Sequence, residues 1–216
     1  YFLRGSAELE LGDYESAKAD FDQAISMDPK NYDRLIEIYE ALAAHGYREV
    51  GQEYLQNVLD TAKQLDAYDS GRIYYYLGEY QKAYLALDEA RDKGGADSYL
   101  YLGRAYAATG DYNYASSVYN NYLSKQGPNA EIYNELGLCE MAKKEYQNAL
   151  AAFQAGKQIE GNSLMQTLSF NEIVAYEYLQ DYQKAAVLLK AYLQNYPDDQ
   201  AAIREQQFLS ILCLLS

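Results

Sequence analysis

Apolar residues recur along most of this chain at i, i+3, i+4 and i+7, the spacing of one face of an α-helix. Tyr99, Leu102, Gly103 and Tyr106 make one such face, and Tyr133, Leu136, Gly137 and Glu140 take the same places further on. A second face follows each, with Ala115, Tyr119 and Tyr122 in one copy and Ala149, Phe153 and Gly156 in the next. Between the two faces stands a short polar word. It reads LGDYESA at 11–17, LGEYQKA at 77–83, TGDYNYA at 109–115, KKEYQNA at 143–149 and LQDYQKA at 179–185, with a fainter HGYREVG at 45–51. The pattern predicts pairs of helices, each pair turning at the word.

The word's residues fit that task. Its glycine (Gly12, Gly78, Gly110) suits the left-handed residue that closes a helix. Its acid (Asp13, Glu79, Asp111, Glu145, Asp181) falls at the start of the next helix, where a carboxylate complements the dipole. Its tyrosine (Tyr14, Tyr80, Tyr112, Tyr146, Tyr182) is placed to wedge between helices. The word is therefore read as a turn and a wedge, not as a catalytic motif.

The closing residues of the words are Ala17, Gly51, Ala83, Ala115, Ala149 and Ala185, in steps of 34, 32, 32, 34 and 36. A second anchor series, Gly5, Tyr39, Gly71, Gly103, Gly137 and Ile173, keeps the same steps. A fixed period near 34 marks a stacked supersecondary unit. Glycine in a helix interior costs about 1 kcal/mol against alanine. Its recurrence at one place, with small residues at the facing place, predicts close helix crossing. Tyr39 with Gly51, and Ile173, depart from this rule, so crossing is expected to differ there.

On these residues the chain resembles the tetratricopeptide repeat family. Tyr1, Gly5, Gly12, Tyr14, Ala17, Phe21, Ala24 and Pro29 carry the resemblance in the first repeat. Tyr99, Leu102, Gly103, Tyr106, Gly110, Tyr112, Ala115 and Tyr119 carry it in the fourth. It implies an all-α, right-handed solenoid of antiparallel helix pairs. The expected repeats are 1–31, 32–63, 64–95, 96–129, 130–165 and 166–199, followed by a last helix over 200–216. Tyr1 falls at the fourth place of its repeat, so the chain reads as part of something longer. In the last helix Gln206 and Gln207 suit a polar cap. Ile211, Leu212, Leu214 and Leu215 either cover the last repeat or seek a partner, including a second copy of the chain.

Composition narrows the function. Among 216 residues, 18 Lys and Arg face 32 Asp and Glu, a net charge of −14. So acidic a chain lacks the basic footprint of a nucleic-acid binder and is disfavoured at anionic membranes. No apolar run approaches the ~18 residues needed to span a bilayer. The one histidine, His45, sits in a turn word, and Cys139 and Cys213 read as small apolar fillers. No cofactor loop, metal-ligand spacing or nucleophile with a positioned base appears. The chain is accordingly read as a non-catalytic interaction module with no cofactor and no metal, in a compartment the sequence leaves open. Acidic, tyrosine-rich arrays of this kind resemble those of bacterial proteins, some of them surface lipoproteins.

The resemblance implies that the first helix of each repeat lines a concave groove for an extended segment. The places so implied hold Tyr68, Arg72, Tyr75 and Tyr76, then Tyr101 and Arg104, then Asn134 and Leu138, then Phe170, Asn171 and Tyr178. Tyrosine and arginine are frequent interface anchors. Arg72 and Arg104 share one place in successive repeats, which predicts a pair able to hold a carboxylate or an acidic peptide. The opposing reading pairs each arginine with a neighbouring acid. A clamp for a chaperone's C-terminal carboxylate would want lysine at Phe2, Ile36, Tyr68, Leu100, Asn134 or Phe170, and asparagine at Ser6, Glu40, Arg72, Arg104, Leu138 or Val174; neither is present. Two other uses stay open at this stage: self-assembly through the last helix, and capture of a small molecule or glycan by the groove tyrosines.

Overall fold

A computed structural model describes residues 1–215, with side chains as far as Leu209. Ile211, Leu212, Cys213, Leu214 and Leu215 lie outside the described side chains. The helices are α1 (Phe2–Glu10), α2 (Tyr14–Met27), α3 (Tyr32–Ala44), α4 (Arg48–Thr61), α5 (Ala67–Tyr76), α6 (Tyr80–Asp92), α7 (Ser98–Ala108), α8 (Tyr112–Gln126), α9 (Ala130–Ala142), α10 (Tyr146–Lys157), α11 (Met165–Tyr178), α12 (Tyr182–Asn195) and α13 (Gln200–Leu215). No strand occurs among the described residues. The chain forms two compact units, Tyr1–Tyr101 and Leu102–Ser216, each a stack of helix pairs in an all-α solenoid.

The six words are the six turns within pairs. Gly12, Gly46, Gly78 and Gly110 adopt positive φ there, and so do Lys144 and Gln180, at 64° and 63°. The last two place a side chain in a region that costs a non-glycine residue roughly 1 kcal/mol. In all six the amide of the next residue bonds back into the finished helix, as in Asp13 N to Glu8 O at 2.8 Å and Asp181 N to Tyr176 O at 3.0 Å. This 6→1 bond satisfies a carbonyl that the helix end would otherwise leave open. Asp13, Asp111 and Asp181 then cap the next helix, accepting from the amides of Ser16, Tyr114 and Lys184. Glu79 and Glu145 hold the same position without a side-chain cap bond; the Glu79 carboxylate pairs with Lys82 instead.

The anchor glycines sit where two helices cross. A Cβ at Gly5 would fall 2.8 Å from Phe21 Cε1, and one at Gly71 2.8 Å from Leu87 Cδ2. At Gly103 it would meet Tyr119 Oη at 2.7 Å, and at Gly137 Phe153 Cδ1 at 2.6 Å. The α3–α4 pair solves the same problem in reverse. Tyr39 stands on α3, and the small residue has moved to α4, where a Cβ on Gly51 would lie 2.9 Å from Tyr39 Cδ2. In the last pair Ile173 packs directly with Ala185 and Leu189, all buried.

Each unit has its own core. In the first, Leu9, Ala17, Phe21, Ile38 and Leu42 form one buried cluster, and Leu35, Ile36, Tyr39, Leu55 and Ile73 another. In the second, Ala149, Leu150, Phe153, Leu168 and Ala175 are one cluster. Ala202 and Leu209 of α13 bury against Ile173, Ala185, Leu189 and Tyr192, while Gln206 and Gln207 face out. Burying a side chain of this size stabilises by roughly 1.5–3 kcal/mol. Asp199 starts α13 by accepting from the Tyr192 hydroxyl and from the Ala202 and Ala201 amides, which hold its carboxyl below the usual range.

One contact in the second unit makes its stability depend on pH. Glu177 of α11 has a buried Oε1 with no hydrogen-bond donor. Burial, then the charge and hydrogen bond of Glu205 on α13, push its carboxyl up to about 7. The folded value lies above the free one, so the folded state holds this proton more tightly. The contribution is full below about 4.5 and is lost as pH rises through about 7. After allowance for water at a half-buried group, the effect is about 1 kcal/mol. Thermal unfolding of Glu177→Gln and the parent at pH 5 and pH 8 reads it. The Gln variant gains on the parent at the higher pH; an unchanged difference contradicts the assignment.

Candidate functional site

The first helices of successive pairs lie side by side within the first unit. α3 meets α5 through the Tyr39 and Tyr76 rings, 5.1 Å apart, and through a hydrogen bond from the Tyr76 hydroxyl to Glu40 Oε1 at 2.6 Å. α5 meets α7 through Tyr101, whose ring lies 6.2 Å from Tyr68, 5.9 Å from Tyr75 and 6.0 Å from Tyr76, all edge-to-face. Tyr75 and Tyr76 also meet edge-on at 5.1 Å. Such pairs contribute about 0.5–1.5 kcal/mol each beyond area burial. The result is a continuous face of four half-buried tyrosines at the places the sequence singled out. Burial pushes the Tyr68 phenol up to about 12 and, with the Glu40 bond, raises Tyr76 further, so both rings stay neutral near pH 7.

Arg72 does not line this face as a free cation. Its side chain is 8% exposed and its two terminal nitrogens bond Asp33 of α3 and Asp69 of its own helix. Its guanidinium carbon stands 4.4 Å from the Tyr68 ring centre and 5.8 Å from that of Tyr101. Burial opposes its charge, but the two carboxylates outweigh burial and hold the group protonated. Arg72 is thus an internal strut that ties α3 to α5 and fixes the Tyr68 ring. Arg104, in the second unit, bonds Glu135 at 2.7 Å and Glu131 at 3.0 Å, tying α7 to α9. The reading of each arginine as paired with a neighbouring acid is the one the geometry matches. The expected carboxylate clamp is corrected accordingly: both guanidiniums already hold carboxylates.

The remaining places lie in the second unit. Asn134 is buried, and its Oδ1 accepts from Asn171 Nδ2 at 2.9 Å, joining α9 to α11. Phe170 turns into the core, its ring 5.6 Å from Tyr192. Leu138 is 44% exposed, and Tyr178 is 56% exposed while stacking at 4.9 Å on Tyr146. The sequence reading missed Asp33 and Glu40 as parts of the first unit's face. Glu40 was visible as a place adjoining the Tyr39 anchor, whereas Asp33 lies outside the family's lining places. Among the described residues no group of three His, Cys, Asp or Glu side chains is arranged to hold a metal. No helix there is long and apolar enough to cross a membrane. Cys139 is buried, and burial pushes its thiol up to about 12, away from the reactive thiolate.

This build of crossed helix pairs defines a class, the tetratricopeptide repeat scaffold. Tetratricopeptide repeat family models match residues 1–31, 68–123, 110–163 and 170–199. The chain belongs to the tetratricopeptide repeat family. Comparison with curated proteins finds no match. Among solved structures it is similar to PilW, a type IV pilus biogenesis factor, at TM-score 0.64 and 17% identity over 96% of both chains. YrrB, a TPR protein with an unusual peptide-binding site, aligns at TM-score 0.57 and 18% identity, over 87% of this chain and 97% of its own. The APC/C assembly Cut9–Hcn1 aligns at TM-score 0.60 and 17% identity over 98% of this chain, which spans 42% of that one. At these identities the likeness is one of fold.

Proposed function

We propose that this chain is a non-catalytic interaction scaffold that docks an extended peptide along its first helices, anchored in the first unit on Tyr68, Tyr75, Tyr76 and Tyr101. The observation that carries the reading is the four-tyrosine face itself. Its rings are held edge-to-face by neighbouring helices, so binding costs them little further order. A peptide in extended form advances about 3.1–3.4 Å per residue and could cross α3, α5 and α7 while laying alternate side chains between the rings. YrrB, described as having a peptide-binding site, supports a protein-interaction role for the fold. In the second unit Leu138 and Tyr178 are exposed at their places. The expected acidic partner loses its support, since the arginines that suggested it are engaged.

The test is a peptide-display selection on the whole chain, followed by fluorescence anisotropy of the strongest binder. Tyr68→Ala with Tyr101→Ala is expected to weaken it by roughly 30- to 1000-fold, two central aromatic anchors being worth about 1–2 kcal/mol each. Leu85→Ala with Val187→Ala, both exposed on second helices, should change it less than about twofold. Circular dichroism checks that the helices persist. Equal affinity for the tyrosine double variant and the parent would sink the reading, and so would a selection that yields no peptide.

A further inference from the structure

The tyrosine face of the first unit is bordered by acids whose charge is not fully answered. Arg34 pairs with Glu37 at 2.9 Å, and Arg72 is engaged by Asp33 and Asp69. Glu40 takes the Tyr76 hydroxyl but has no ion-pair partner among the described residues. Asp33, although it meets Arg72, has a side chain 77% exposed. Asp97 stands near enough to Tyr68 to help raise its phenol. Neutral tyrosine rings present negative π faces, so faces and acids carry the same sign. A carboxylate arriving here meets repulsion, and the Tyr76 hydroxyl that could have donated to it is already given to Glu40.

The same face shows what it accepts. The Arg72 guanidinium lies over Tyr68 and beside Tyr101 with a carboxylate at each terminal nitrogen. We propose, building on the peptide-docking reading above, that the natural partner segment is cationic, and that one of its lysine or arginine side chains seats over a tyrosine of this face with its charge toward Glu40 and Asp33. The charge complementarity is local, and the chain's net charge of −14 steers the same partner from a distance.

The probes are three synthetic peptides of about ten residues, alternating proline with lysine, with glutamine or with glutamate. Proline keeps all three extended, so only charge differs. Calorimetry or anisotropy on the whole chain should find the lysine peptide at least about tenfold tighter than the glutamine peptide, the size of one cation–π contact with one ion pair. The glutamate peptide should show no binding, and the lysine advantage should shrink as salt is raised to about 0.3 M. Asp33→Asn with Glu40→Gln should remove most of that advantage. Glu160→Gln with Asp198→Asn, which removes two exposed charges elsewhere, should leave it in place. If the glutamine peptide binds as well as the lysine peptide, or the glutamate peptide binds better, the inference fails while the peptide reading stands. If the control pair lowers binding as much as Asp33→Asn with Glu40→Gln, the attraction is general and the inference again fails. Binding by none of the three defeats the inference, while the peptide reading is decided by the display selection.

Discussion

Gly137→Ala unfolds the second unit more easily by about 2 kcal/mol, although alanine is the better helix former by about 1 kcal/mol. The added Cβ would overlap three atoms of the Phe153 ring, with Cδ1 and Cζ at 2.6 and 2.7 Å. Phe153 is fully buried and has nowhere to turn. The three nearest atoms to the new methyl all belong to that one side chain, which makes the cause separable. Phe153→Ala alone should cost roughly 3–5 kcal/mol through lost burial and the cavity it leaves. In that background Gly137→Ala should turn neutral or stabilising, because the obstruction is gone and the propensity gain remains. A denaturant double-mutant cycle reads the coupling. Additive effects, or a stabilised single variant, would mean that the helices cross with room to spare.

Arg72→Met destabilises the first unit by about 2–3 kcal/mol at pH 7. Removing one member of a buried ion pair leaves the other without its partner, at a cost near 3–5 kcal/mol when burial is complete. Here Asp69 is only 18% exposed whereas Asp33 is 77% exposed, so Asp69 carries most of the effect and the figure is reduced. Burial already pushes the Asp69 carboxyl up with Arg72 in place. Without the arginine it rises further, so the defect shrinks as pH falls and the carboxyl takes its proton. Adding Asp69→Asn to Arg72→Met should recover more than half of the loss at pH 7 and remove most of its pH dependence. A neutral Arg72→Met would show the pair to be decoration.

Both predictions rest on features of unequal legibility in the sequence. The turns were readable because each word carries its own chemistry within a few residues: a left-handed closing residue, a capping acid, a tyrosine. Even Lys144 and Gln180 fell in line, since register placed them where glycine stands elsewhere. The close crossings were readable because glycine in a helix interior is unfavourable unless something presses on it. The α3–α4 exchange was half readable. Tyr39 and Gly51 both broke the rule, yet only their contact shows that one large and one small residue had traded helices. Two readings of the arginines stand open in the sequence, and the paired one holds for a physical reason. Comparing like places set Arg72 beside Arg104, but side chains as long as arginine reach across the stack. Arg72 reaches back to Asp33, and Arg104 forward to Glu131 and Glu135. Those partners lie 39, 27 and 31 residues away, near but not on the repeat period. Comparing like places alone does not show such a diagonal contact, whereas the four tyrosines, at neighbouring places, meet ring to ring.

The most direct measurement is nuclear magnetic resonance of the chain carrying 13C-labelled tyrosine rings, titrated with the alternating lysine–proline peptide. The account predicts saturable shifts at Tyr68, Tyr75, Tyr76 and Tyr101, with Tyr14 and Tyr47, stacked at 4.2 Å on a turn of the same unit, left unmoved. Shifts confined to rings outside that group of four, or no shifts at all, would contradict it.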